Sequence, residues 1–280
     1  MKKYIRAISI AVYALFIPQV NAGVTVIDFD DASIVHGTIV DSEYLGVGVS
    51  ITSVNTKGTA STSDDVTGRQ VAFDADSVAG STSDPDLEYN NNGNDYNGVG
   101  AFSYTALNID GVSYGNTPGN VLILQENNVG CDDGVCNDPD DEGGSNPAGY
   151  FEFTFDTLVD IISLDTFDIE DKGEFVIQFF AGTTLVSTLV ETSKSVGDVV
   201  SIFNAPNYTV QAGDNTLQTM GDGQFVRQLL NIVGIDSLRI QLPGSGAIDN
   251  LAFRTQEVSA PASLGIISLA LLLMIRRVRK

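Results

Sequence analysis

Tryptophan is absent, histidine occurs once, cysteine twice, and 14 basic side chains face 36 acidic ones in 280 residues. Each scarcity removes a class of function. All the acidic residues lie between Asp28 and Glu257, an interval holding only seven Lys and Arg, so the body carries a formal charge of −29. Phosphate neutralisation needs a basic face, which argues against nucleic acid, and anionic lipid is disfavoured on the same ground. One His and two Cys are too few for a zinc site, and Cys131 and Cys136 have four residues between them, not the two of a redox pair. No Gly-x-Ser-x-Gly elbow is present, since Gly244-Ser245-Gly246 is short by two residues, and no Gly-rich phosphate loop occurs. His36, in Val35-His36-Gly37-Thr38, therefore reads as a turn residue and not as a general base.

Helical periodicity is scarce too. Twenty-eight Gly and dense Asn, Asp, Ser and Thr cut the body into short apolar runs, the pattern of an all-β domain. Strands are expected at Val24–Phe29, Asn120–Gln125, Tyr150–Phe155, Phe175–Phe180, Thr183–Val190, Val199–Phe203, Asp236–Leu242 and Ala247–Phe253. Arg227–Val233 reads as a short helix or a further strand. A jelly-roll-like β-sandwich with long acidic loops accounts best for this count, and without an internal repeat a β-helix is disfavoured. The loops are expected from about Thr52 to Pro118 and from Asn127 to Pro147.

Both ends read as addresses. Lys2, Lys3 and Arg6 precede an apolar run, Ala7 to Ile17, and Val20-Asn21-Ala22 supplies a cleavage site, so residues 1–22 are expected to be a signal peptide. Export would oxidise Cys131 and Cys136 to a local disulfide. At the other end, Ser259-Ala260-Pro261-Ala262-Ser263 precedes twelve mostly aliphatic residues and then Arg276-Arg277-Val278-Arg279-Lys280. This layout, in 257–280, resembles the PEP-CTERM sorting signal of Gram-negative bacteria, with Ser-Ala-Pro where that family has Pro-Glu-Pro. The resemblance implies a short membrane helix, a partner of the exosortase class, sorting residues Pro261, Arg276 and Arg277, and a destination at the cell surface or in the extracellular or biofilm matrix.

Between the ends, a β-sandwich domain is expected over 23–256. Asp outnumbers Glu by 27 to 9, and short carboxylates near Gly suit turns and hard cations. Candidate calcium ligands are Asp84 and Asp86 in the first loop and Asp138, Asp140 and Asp141 in the second; neither follows EF-hand spacing. Asp28 and Asp30 open the domain and Asp249 closes it, and first and last strands of jelly rolls commonly adjoin. This resembles the calcium-stabilised β-sandwiches of carbohydrate-binding modules, which implies a structural Ca²⁺ between the two termini. Tyr89, Tyr96, Tyr104 and Tyr114 lie in the first loop and are candidates to stack on sugars. The expected function is non-catalytic, a calcium-dependent exopolysaccharide-binding or structural role. The alternative is a secreted glycan-active hydrolase using paired carboxylates, weakened by the missing Trp.

Overall fold

In Tyr150-Phe151-Glu152-Phe153-Thr154-Phe155 every second residue is apolar, and the chain folds accordingly: Phe151, Phe153 and Phe155 are buried while Tyr150, Glu152 and Thr154 reach solvent. The structure, a computed structural model, describes residues 23–76, 87, 107–109, 111–114, 118–126, 131–132, 134–141, 148–169, 174–192 and 225–256. Val24–Thr255 form one compact unit. Its strands are β1 (Val24–Ile27), β2 (Val49–Asn55), β3 (Val66–Thr67), β4 (Gln70–Asp74), β5 (Leu107–Ile109), β6 (Val112–Tyr114) and β7 (Asn120–Leu124). They continue as β8 (Cys131–Asp132), β9 (Val135–Cys136), β10 (Gly149–Phe167), β11 (Glu174–Ala181), β12 (Thr184–Thr192), β13 (Phe225–Leu242) and β14 (Ala247–Thr255).

Ten strands make one antiparallel sheet, and β5–β6 and β8–β9 are separate hairpins. Two strands are long enough to serve both halves of that sheet. The first half of β10 lies between β2 and the end of β13, in the order β12-β11-β13-β10-β2-β3. Past register shifts between Thr154 and Ser163, β10 lies instead between β13 and β14, with β7, β4 and β1 beyond. Both halves bury side chains in a single core. Phe153, Ile177 and Ile240 of the first half share it with Leu122, Leu251 and Phe253 of the second, and the Phe155 and Phe253 rings meet edge-on at 5.1 Å. The all-β expectation is therefore met.

Two local expectations need correction. The stretch from Thr52 to Pro118 is not one irregular loop, because it contains the end of β2 and all of β3 to β6. The buried face of β2 ends in Ser53 and Asn55, which look like loop residues but are satisfied inside. Ser53 Oγ donates to Gln70 Oε1 at 2.7 Å, and Asn55 Nδ2 to the Gln125 carbonyl at 3.1 Å. Of the two readings of Arg227–Val233 the strand holds, but it is not separate, since it runs continuously into Asp236–Leu242 as β13. Asn231, at a positive φ of 49°, and Gly234 make the kinks that read as an interruption. Val199–Phe203, the signal segment and the sorting segment with Pro261, Arg276 and Arg277 lie outside the described residues. Among the described residues no helix is long and apolar enough to cross a membrane.

Candidate functional site: a buried carboxylate row

The strongest concentration of buried charge lies where β13, β10 and β14 run side by side. Register sets Arg227 opposite Asp165, and Asp165 opposite Asp249, so the three side chains form a row across three strands. All are at most 2 % exposed. Arg227 grips Asp165 with two bonds, Nε to Oδ1 at 2.7 Å and Nη2 to Oδ2 at 2.6 Å. Asn250 stands at a positive φ of 47°, an uncommon position that Asn tolerates better than most residues. From there its Nδ2 donates to Asp165 Oδ2 at 3.0 Å and to Asp249 Oδ2 at 2.7 Å. The other Asp249 oxygen, Oδ1, is buried and meets no hydrogen-bond donor among the described residues.

One cation thus serves two buried carboxyls. Burial raises the Asp165 carboxyl, while the Arg227 bonds and charge and the Asn250 amide pull the other way. Asp249 has no cation beside it, only hydrogen bonds from Asn250. Burial first, then the charges of Asp165, Asp30 and Asp28, hold it well above the ordinary carboxylate value.

The β1 pairing brings Asp28 and Asp30 near. β1 runs antiparallel to β14, with Ile27 opposite Leu251, so the next residues of β1 face the Asp249–Asn250 bend. Phe29 turns through a positive φ of 53°, and Asp30 Oδ1 then accepts the Asn120 backbone N–H at 2.8 Å. Gly119, at φ 59°, leaves the Asp30 carboxylate its place, since a Cβ there would overlap it. Partial burial, with the charges of Asp28, Asp76 and Asp74 adding to it, raises Asp30 to about 6 against the Asn120 hydrogen bond. Tyr44, edge-on to Phe29 at 5.8 Å, has its phenol pushed up by burial and by the nearby Asp28 and Asp31.

The other candidate residues are placed differently. Asp84, Asp86, Tyr89, Tyr96 and Tyr104 lie outside the described residues. Tyr114 is not in a loop; it belongs to β6 and packs, half-buried, against Ile109 and Ala252. Asp138, Asp140 and Asp141 do not line up as one set of ligands. Asp141 is buried and accepts the Gly246 N–H at 2.5 Å, whereas the Asp138 carbonyl and the Asp140 N–H are held by the two ends of the Gln125 amide, each at 2.9 Å. Asp160 likewise accepts from Gly234, and Asp236 from Gly182. Part of the Asp excess therefore serves backbone N–H groups, the use to which a short carboxylate is suited. Cys131 and Cys136 form a disulfide across the β8–β9 hairpin. Gly37 and Ile39 tie that hairpin down through Cys136 and Gly134. His36 Nδ1 accepts the Asp74 N–H at 3.1 Å, the role of a turn residue.

Among the described residues no three His, Cys, Asp or Glu side chains are grouped as a ready metal site. Sequence reasoning missed Asp165 and Arg227. The available signal was a lone Arg inside the apolar run Phe225-Val226-Arg227-Gln228-Leu229-Leu230, which demands a buried anion somewhere else in the chain. No family model matches the chain, and no curated protein or solved structure matches it at a significant level.

Proposed function

We propose that the chain is an exported, exosortase-sorted, jelly-roll-like β-sandwich of the cell surface or extracellular matrix. Its role is non-catalytic, a calcium-dependent binding of exopolysaccharide or a structural part in that matrix. The observation that carries this reading is Asp249: a buried carboxylate, with one oxygen unmet among the described residues, beside Asp28 and Asp30 at the β1–β14 junction. The donors there are all hard oxygens, the set that Ca²⁺ takes. Asp249, Asp28 and Asp30 would hold the ion, with backbone carbonyls and water completing its shell. Calcium would supply charge neutralisation and no chemistry. Arg227 keeps Asp165 occupied, which leaves Asp249 as the member of the row open to an external cation.

The paired-carboxylate hydrolase is the competing reading. A glycan array with and without chelator, run beside a hydrolysis assay on the same sugars, decides between them. Binding that disappears in chelator, with no cleavage, is the expected result. Release of reducing ends would overturn the non-catalytic assignment.

A further inference from the structure

Two Asp–Pro bonds occur in the chain, Asp84–Pro85 and Asp138–Pro139, and each is followed by a further Asp. An Asp side chain ordinarily reacts with the backbone N–H that follows it, which closes onto the carboxyl. Pro has no N–H, so that route is shut. What remains is attack by the carboxylate on the carbonyl carbon of its own residue, through a five-membered ring. The surroundings of Asp138 serve that attack. Its carboxylate is exposed and has no hydrogen bond or ion pair among the described residues. Its carbonyl oxygen accepts from Gln125 Nε2 at 2.9 Å, while the Asp140 N–H holds the other end of that amide, Oε1, at 2.9 Å. Gln125 is buried, and its main chain is bonded to the Arg69 carbonyl and to Asn55 Nδ2. The amide is thus a fixed donor aimed at the oxygen on which negative charge would develop.

We propose that the folded chain cuts itself once, at the Asp138–Pro139 peptide bond. A carboxylate oxygen of Asp138 attacks the Asp138 carbonyl carbon, and the carbonyl oxygen becomes an oxyanion where Gln125 already donates. A preorganised donor of this kind gains strength as the charge develops. The C–N bond then breaks, its electron pair goes to the Pro139 nitrogen, and that nitrogen takes a proton from solvent. Asp138 is left as a cyclic anhydride. Water opens the anhydride and returns the proton, so the net change is hydrolysis by one water, with no oxidant or cofactor. The reacting bond is held on both flanks, which fixes the carbonyl against its donor. Upstream, Cys136 is disulfide-bonded and its N–H is tied to the Gly37 carbonyl. Downstream, the Asp140 carbonyl accepts the Glu126 N–H and the Asp141 side chain accepts the Gly246 N–H. The cut falls between β9 and β10, and the two parts are interleaved, since β1 and β7 pair with β14 and β2 pairs with β10. The product is a nicked domain with a new N-terminus at Pro139.

The second Asp–Pro bond is an internal control. Purified protein is held in mildly acidic buffer, folded and in urea, and its fragments are followed by mass. Both cysteines lie upstream of the cut, so no disulfide joins the two parts. In urea the two bonds share one local sequence, Asp-Pro-Asp, and should break at similar rates. In the folded protein the fragment beginning at Pro139 should form about a hundredfold faster than in urea, the low end of what one such donor contributes. This comparison is made on the wild-type chain and needs no variant. Asp138→Ala, at an exposed position, should abolish that fragment. Gln125→Met, which removes the donor at similar size, should slow it by about the same factor. Circular dichroism establishes that each variant is folded. A Pro139 fragment that forms no faster folded than in urea would overturn the proposal. So would its persistence in Asp138→Ala, the mark of a contaminating protease, or its undiminished formation in folded Gln125→Met.

Discussion

Replacing Asp249 by Asn isolates the charge that the buried row leaves unbalanced. The two side chains have nearly the same shape, and the remaining oxygen of Asn can still accept from Asn250. What disappears is a carboxylate that is 1 % exposed and faces the fields of Asp165, Asp30 and Asp28. A buried polar atom without a partner costs about 1–3 kcal/mol, and more when charged. In chelator at neutral pH the variant should therefore be more stable than wild type by about 2 kcal/mol, roughly 4–8 °C in midpoint for a domain of this size. Calcium should reverse the order. Binding to the folded state alone stabilises by about 2.7 kcal/mol when the free ion is 100-fold above its dissociation constant, and extracellular calcium sites bind at about 10⁻⁴ to 10⁻³ M. Differential scanning calorimetry of both proteins in chelator and in calcium reads all four values. Identical wild-type midpoints in the two conditions would refute the calcium site. Equal shifts in wild type and variant would leave calcium real but assign it to other ligands. A variant less stable than wild type in chelator would show that Asp249 is well paired when ionised, and the reasoning about the row would fail.

Arg227→Met should cost about 3–5 kcal/mol by stranding the Asp165 charge, and adding Asp165→Leu should recover most of it; urea titration measures both. Gly119→Ala should lower the thermal midpoint and abolish the protection of the Asn120 amide from hydrogen exchange, because the new methyl displaces the Asp30 carboxylate that holds it. Exported protein should show no free thiol at Cys131 or Cys136 without reductant, and reduction should cost about 2 kcal/mol, the chain-entropy value for so small a loop. In chelator, stability should fall as pH rises from about 4 to about 6. Asp30, raised from 3.8 to about 6, and Asp249 both bind their protons more tightly folded than unfolded. Their contribution is thus full below the unfolded value and lost as pH passes the folded one. Stability that instead rose steadily across that range would contradict both assignments.

A strand whose apolar residues alternate was legible in the chain: β11, expected at Phe175–Phe180, is Glu174–Ala181, because burial of one face sets its pattern. β12 and β14 were placed within two residues of their bounds, but of the nineteen residues of β10 only the alternating start, Tyr150–Phe155, was read. β2 was hidden because part of its inner face is polar. Ser53 and Asn55 belong inside only when Gln70 and Gln125 are there to meet them, and those partners stand 17 and 70 positions away. β13 was split by Asn231 and Gly234, where a kinked strand and a turn have the same composition. The site divides likewise. The pairing of first and last strands was legible, and β1 does lie against β14. Asp165 lies near the end of a nineteen-residue strand, and its partner Arg227 is 62 positions on, so no local pattern couples them.

The same bend explains why the charge collects where it does. On β14, Ile248 and Leu251 both point into the main core, although a regular strand would put residues three apart on opposite faces. The extra residue is taken up at Asn250, whose φ of 47° places Asp249 and Asn250 together on the side away from that core. β10 does the same at its register shift, where Ser163 joins Ile162. The bulges thus concentrate polar side chains on one face of the second half of the sheet, while the apolar face stays unbroken. Arg227 can neutralise only one carboxylate there. The row retains one negative charge that must be met by a proton or by a cation from outside, and the raised Asp249 carboxyl is the point at which either would act. A fold built this way ties part of its stability to the protonation of that carboxyl.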